Sequence, residues 1–272
     1  RLNARQYDQA EKELETILSK NPTDAQGLIL NAILVRMTGR PARSIAIATE
    51  AIERYPKFAG ALSVRARAYV TIGELELAAA DLERADELSN TPQYAMELAG
   101  LYMRLGREND AIALWKSIVS KHKNHQEALF KLIEAYLTRQ DWNNAESSLT
   151  TAQKQFPKTT AYRLMEAKMW DTRKQETKAL DALKAAVEIN AASPQIARAY
   201  LLGLVKAKQY DKAIDVANSY RNQSSWNPWI TAIRARVLVA KKQGDKADKL
   251  FLSAVGIAQP RDLAFIVSQI QE

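Results

Sequence analysis

Cysteine is absent from this 272-residue chain, histidine occurs twice, and glycine and proline are scarce at nine and eight residues. Each shortage removes a class of function. Without thiols there is no disulfide framework, no thiolate nucleophile and no thiolate-held metal. The two histidines fall in Lys121, His122, Lys123, Asn124, His125; no third Cys or His ligand exists, and the flanking lysines repel a cation. They read as junction residues. Neither a glycine-rich phosphate loop nor a Gly-x-Ser-x-Gly elbow occurs. The carboxylate pairs Glu11/Glu13 and Asp81/Glu83 are expected to stand alone on solvent faces, where nothing would raise one pKa for acid catalysis. Asn222, Gln223 and Ser224 match a glycosylation acceptor, a triplet common by chance. No catalytic residue, metal ligand or cofactor is implied, and an enzyme is disfavoured.

Long apolar runs are also missing: nothing approaches the roughly 18 residues that span a bilayer, and no signal-peptide pattern is visible. The chain opens on Arg1 rather than Met, so the expectation is a processed or excised segment whose missing ends carry any targeting information. A cysteine-free composition suits the periplasm and the cytosol alike. The charge balance, 39 basic against 31 acidic residues, gives +8. That sign fits nucleic acid, an anionic polysaccharide or an acidic protein segment. The basic residues are spread along the chain without a run of five or six, which favours plain solvated helix surface.

What the chain does have is a period. Ala10, Ser44, Ala78, Ala111, Ala145, Ala179, Ala213 and Ala247 recur at intervals of 34, 34, 33, 34, 34, 34 and 34 residues. Ile17, Ala51, Ala85, Ile118, Ala152, Ala186, Tyr220 and Ala254 follow seven residues later, two turns along the same helix face. Ala32, Ala66, Ala99, Ile133, Ala167, Leu201 and Ala235 form a third column in step. A fixed period of this length marks stacked units that pack on their neighbours, so the functional question becomes which partner a helical surface holds.

One unit shows the plan. Ala61–Thr71 is expected to be a first helix with Leu62, Ala66 and Tyr69 on one face, closed by Gly73 in a left-handed turn. A second helix from about Leu75 to Leu88 presents Ala78, Leu82 and Ala85. Gly39, Gly106 and Gly244 are expected to occupy the same turn in other units, with Gln140, Lys174 and Lys208 filling it less ideally. Seven prolines (Pro22, Pro56, Pro92, Pro157, Pro194, Pro228, Pro260) mark junctions between units, and Pro41 a helix start. There the missing N–H has no partner to lose.

The succession Ala66, Tyr69, Ala78, Leu82, Ala85, repeated as Ala99, Tyr102, Ala111, Trp115, Ile118 and as Tyr136, Ala145, Leu149, Ala152, Pro157, resembles the tetratricopeptide repeat (TPR) family over essentially the whole chain. The resemblance implies an all-α fold: a right-handed superhelical solenoid of antiparallel helix pairs. Residues 1–272 would form one array of about seven to eight 34-residue units, cut within the array at both ends. Leu2–Lys20 reads as a second helix without its first, and Asp262–Glu272 as a first helix without its second. Such open ends would allow self-association. The family's first-helix tryptophan is replaced by Leu28, Leu62, Ala95 and Leu129. The last two units are looser, with Tyr220 in a small-residue position and an irregular connection over Arg221–Asn227.

In this family the first helices line a concave groove. Carried over, the resemblance places Ile29, Ile33, Arg36, Arg67, Met96, Met103, Arg104, Phe130, Lys168, Arg198 and Arg236 there. Their apolar members suit an amphipathic segment, and the recurring bases suit an acidic one. A second reading assigns the apolar members to packing against second helices. The family's chaperone-binding carboxylate clamp needs Lys and Asn where Ile29, Ile33, Ser63, Arg67, Met96 and Gly100 stand, which disfavours that role. Trp115, Tyr69, Tyr102 and Tyr136 fall on packing positions; Trp226 and Trp229 either plug a defect or form an adhesive patch.

These features imply a non-catalytic scaffold that binds a peptide or partner protein. The alanine-rich, cysteine-free units resemble bacterial envelope TPR proteins of exopolysaccharide export or outer-membrane assembly, which points to the periplasm. The alternative is an anionic polymer, polysaccharide or RNA, along a basic groove. The inner-face residues do not repeat from unit to unit, so a modular RNA code is disfavoured.

Overall fold

The computed structural model describes residues 4–191, 193–223 and 228–271, and every element among them is an α-helix. The described residues pack as two compact units, 1–132 and 133–272. The first contains α1 (Ala4–Lys20), α2 (Ala25–Met37), α3 (Pro41–Arg54), α4 (Ala59–Ile72), α5 (Leu75–Glu87), α6 (Pro92–Arg104), α7 (Glu108–Lys121) and the opening turns of α8 (Gln126–Thr138). The second continues from α8 through α9 (Trp142–Gln155), α10 (Thr160–Thr172), α11 (Glu176–Ile189), α12 (Pro194–Lys206), α13 (Tyr210–Gln223), α14 (Pro228–Ala240), α15 (Gly244–Ile257) and α16 (Pro260–Gln271). Within each unit consecutive helices pack as antiparallel pairs, and first helices also meet the next first helix, as α2 meets α4 and α12 meets α14. Even-numbered helices are the first of each pair.

The small-residue columns form the seams. Ser44, Ala78, Ala111, Ala145 and Ala247 are wholly enclosed, as are Ala32, Ala66, Ala99, Ile133, Leu201 and Ala235. A side chain of one carbon lets two helix axes approach closely while larger neighbours fill the grooves. Where serine replaces alanine, its hydroxyl is satisfied: Ser44 Oγ donates to the Ala32 carbonyl at 2.7 Å, tying α3 to α2. Leu28, Ile52, Leu62 and Val64 fill around these seams in the first unit, and Leu201, Leu204, Ile233 and Val237 in the second. Ile17 departs from its column and is exposed.

The turn inside each pair is the same object seven times. The N–H one residue past the left-handed position donates back five residues: Arg40 to Val35, Glu74 to Tyr69, Arg107 to Tyr102, Asp141 to Tyr136, Gln175 to Trp170, Gln209 to Leu204 and Gln243 to Leu238, all within 2.8–3.0 Å. This bond satisfies a carbonyl at the helix end and requires positive φ at the preceding residue. Gly39, Gly73 and Gly106 supply it at 81°, 89° and 73°. In residues 133–272 the position is taken by Gln140, Lys174, Lys208 and Lys242, at φ of 57° or 58°. Gly244 therefore does not make the turn as its spacing predicted; it is the first residue of α15, and Lys242 makes the turn instead.

Helix starts follow simple chemistry. Pro41, Pro92 and Pro194 sit in the first turn of their helices, whereas Pro22, Pro56 and Pro157 lie in the turns ahead of α2, α4 and α10. Asp24 accepts the Gly27 N–H at 2.5 Å, and Thr159 accepts the Tyr162 N–H at 3.3 Å. His125 does the same work, its Nδ1 accepting the Ala128 N–H at 3.1 Å at the start of α8.

Asp81 corrects a sequence expectation. It is 6% exposed rather than solvated, and Arg65 grips it through Nε and Nη2 at 2.8 and 2.7 Å. Arg65 Nη1 also donates to Thr49 at 3.1 Å, so one guanidinium joins α3, α4 and α5. The hydrogen bond to Asp81 raises the Arg65 pKa above its ordinary value despite burial. Glu83 is also engaged, accepting the Tyr102 hydroxyl at 2.5 Å. Burial first, then that bond, pushes the Tyr102 phenol up to about 12. From residue 224 the irregular connection, with Ser224 and Trp226, lies outside the described residues, and so does the side chain of Tyr220.

Candidate functional site

Each unit carries a cleft on its first-helix face. In residues 1–132 it measures about 470 Å³ and opens across α2, α4 and α6. Ala66, Val70, Leu82 and Leu101 give it an apolar floor, and Arg36, Arg67, Glu97 and Arg104 a charged rim. Gly100 also borders it, and a Cβ built there meets nothing within 4 Å. In residues 133–272 the cleft measures about 320 Å³ and lies among α10, α11 and α12. Leu164, Leu180, Leu183 and Leu202 dominate its floor, while Lys168, Asp171, Glu176 and Lys206 stand around it. Gly203 lets α12 close on α11: a Cβ there would lie 3.0 Å from Leu180 Cδ2 and 3.1 Å from Leu183 Cδ1.

The recurring bases of the first helices are mostly engaged within the protein. Arg67 forks onto Glu97, with Nε donating to Oε2 at 2.9 Å and Nη2 to Oε1. That hydrogen bond, opposed by burial, raises the Arg67 pKa. Lys168 Nζ donates to Glu134 at 2.9 Å, and Lys206 Nζ to Asp171. Arg236 donates to Gln269 at 3.0 Å. Arg198 lies over two rings, 4.9 Å from the centre of Trp229 and 4.6 Å from that of Phe265. The rings meet edge to face with centroids 6.5 Å apart. Trp229 is thus an anchoring aromatic that holds a guanidinium by cation–π attraction.

The remaining inner-face candidates divide. Ile29 and Phe130, 7% and 8% exposed, are buried and offer little surface to a ligand. Ile33 packs beside the cluster of Leu28, Ile29 and Ile52. Met96 is half-buried, and Met103 is 42% exposed. Arg36 and Arg104 stand in the last turns of α2 and α6 and have no hydrogen-bond or ion-pair partner among the described residues. Arg36 Nε is itself enclosed without an acceptor. The structure therefore brings Arg36, Arg67 and Arg104 to one cleft and puts Lys168 at another.

Glu97, Lys206, Glu176, Leu180 and Leu183 were not among the sequence candidates. A signal for the charged partners exists in the period: Arg67 and Glu97 are 30 residues apart, Glu134 and Lys168 34, and Asp171 and Lys206 35. Opposite charges about one repeat apart on first helices mark a rung between neighbouring repeats of the same unit. Among the described residues no three His, Cys, Asp or Glu side chains gather to hold a metal ion, and no helix is long and apolar enough to cross a membrane.

Antiparallel helix pairs, small-residue seams and seven identical turns define a helical-repeat solenoid. The repeats are tetratricopeptide repeats: models of that repeat match residues 1–57 and 31–95, and another matches residues 102–169. Solved structures share the fold. A TPR protein from Parabacteroides merdae aligns with TM-score 0.61 at 15% identity over 91% of this chain and 97% of its own. Yeast Tom70 aligns with TM-score 0.65 at 15% identity, covering 97% of this chain and 59% of its own. YrrB, a TPR protein with an unusual peptide-binding site, aligns with TM-score 0.53 at 19% identity over 72% of this chain and 97% of its own. At such identities the likeness is one of fold alone. No curated protein matches the chain by sequence.

Proposed function

We propose that this chain is a non-catalytic scaffold for protein–protein interaction, holding a segment of its partner against the first-helix face. The observation that carries this reading is the pair of open clefts, each with an apolar floor and a charged rim, set in a fold built for protein contact. Clefts of this make suit side chains that anchor by burial and orient by charge. The peptide-binding site of YrrB adds a precedent on the same fold. An envelope export or assembly complex is the setting we infer, and its support is the cysteine-free, alanine-rich character of the units.

A basic track for an anionic polymer has less behind it, because Arg67, Lys168, Lys206 and Arg236 are already engaged. Affinity capture from a bacterial extract separates the two. Met37 and Met103 are exposed on first helices, while Leu252 is 74% exposed on the second helix α15. The wild type and Leu252→Ser should retain a common protein partner that Met37→Ser/Met103→Ser loses. Equal retention by all three, or recovery of polysaccharide or RNA released by moderate salt, would count against the scaffold reading.

A further inference from the structure

Three arginines border the cleft of residues 1–132, and one acidic side chain answers them. Glu97 occupies the Arg67 fork, so it shows how a carboxylate seats here and leaves Arg36 and Arg104 as open donors. Arg36 Nε is enclosed without an acceptor, so an incoming carboxylate meets this guanidinium through its terminal nitrogens. Between the two open arginines lies apolar floor, with vacant space over Gly100. Arg36 stands on α2 and Arg104 on α6, with α4 between them.

We propose that this cleft receives an acidic peptide segment, with an apolar side chain seated over half-buried Val70 and the open space at Gly100, and carboxylates at Arg36 and Arg104. The assignment rests on the scaffold reading above and adds the chemistry of the bound segment. Guanidinium forks match carboxylates in plane and charge, and such bonds are strongest where water is excluded. A polyanion fits less well. It needs a continuous run of free cations, whereas here the Glu97 carboxylate stands in the path and repels a dense line of phosphate or sulfate.

The test uses the full chain and a fluorescein-labelled, end-blocked peptide of alternating Glu and Leu, read by fluorescence anisotropy. An analogue with Gln for every Glu and inorganic polyphosphate serve as comparators. The Glu peptide should bind the wild type, and Arg36→Gln/Arg104→Gln should weaken it by roughly tenfold or more. Gly100→Leu should do the same by filling the vacant space, with the melting temperature retained because leucine favours a helix more than glycine does. Lys184→Gln/Lys249→Gln, exposed on the second helices α11 and α15 and outside both clefts, should leave binding unchanged. The assignment is overturned if the wild type does not bind the peptide, if the Gln analogue binds equally well, or if both cleft variants bind like the wild type. Should the peptide fail while partner capture through the first helices persists, the cleft chemistry falls and the scaffold stands. Should polyphosphate bind in its place and capture fail, both fall.

Discussion

The two units build the same turn from different residues and commit their charges differently. Residues 1–132 close each helix pair on glycine, whereas residues 133–272 place Gln140, Lys174, Lys208 and Lys242 in the left-handed position. The first unit encloses an ion pair, Arg65–Asp81, and leaves Arg36 and Arg104 open at its cleft. At the second unit's cleft, Lys168 and Lys206 are neutralised by Glu134 and Asp171. The seven turns show that one backbone bond pattern tolerates either chemistry, because the helix-end hydrogen bond is identical in all. The clefts teach the opposite lesson: one repeat plan yields a cleft with two unengaged arginines in one unit and a largely self-neutralised one in the other.

The largest contrast should come from the ion pairs. Asp81→Ala takes the carboxylate from the part-buried Arg65 guanidinium, leaving it the Thr49 hydroxyl alone, and should cost about 2 kcal/mol in chemical denaturation. Glu146→Ala breaks the exposed Arg173–Glu146 pair and should cost about 1 kcal/mol or less. Equal losses would erase the distinction between enclosed and solvated pairs.

Next come the seams, where the units should respond alike. Ala78→Leu and Ala145→Leu insert bulk at wholly enclosed positions and should each cost ~1–3 kcal/mol by overpacking. A cost confined to one unit would show that its seam is looser than the other.

The turns give a smaller effect of opposite sign. Lys174→Gly and Lys208→Gly relieve a side chain held at φ 57°. Each should gain about 0.5 kcal/mol, the left-handed strain of a substituted residue less the entropy that glycine loses. Gly73→Lys, at φ 89°, should lose about 1 kcal/mol. Thermal melts of the three variants check the signs.

Alkaline pH should reveal the smallest contrast. Burial first, then the charge of Glu166 and the hydrogen bond to it, raises the Tyr162 phenol to about 12, as burial and Glu83 do for Tyr102. The protonated phenol is the form that folding favours. Its contribution is whole below the ordinary value of 10.0 and is lost as pH rises towards 12. Stability should therefore fall over that window, and Tyr102→Phe or Tyr162→Phe should each flatten part of the fall in melts run at rising pH.

The fold was legible because its period is written in small residues: Ala78, Ala111 and Ala145 sit at seams that admit nothing larger. Gly39, Gly73 and Gly106 announced their turns. Gly244 misled because glycine is permissive rather than diagnostic, and backbone hydrogen bonding gave the turn to Lys242. The site was less legible. Phe130 and Met103 share the helical spacing of an inner face, yet one is buried and the other exposed. Periodicity fixes the face of a helix but not the depth to which a neighbour covers it. Asp81 looked solvated because its partner, Arg65, lies on the preceding helix, sixteen residues away. The open state of Arg36 and Arg104 is a property of what surrounds them in space, which spacing alone does not encode.

Residue-resolved arginine modification by phenylglyoxal, with and without the Glu–Leu peptide, tests the central contrast most directly. The account predicts that the peptide protects Arg36 and Arg104 while Arg173 and Arg198 keep their rates. Protection spread evenly over both units, or none at Arg36 and Arg104, would contradict it.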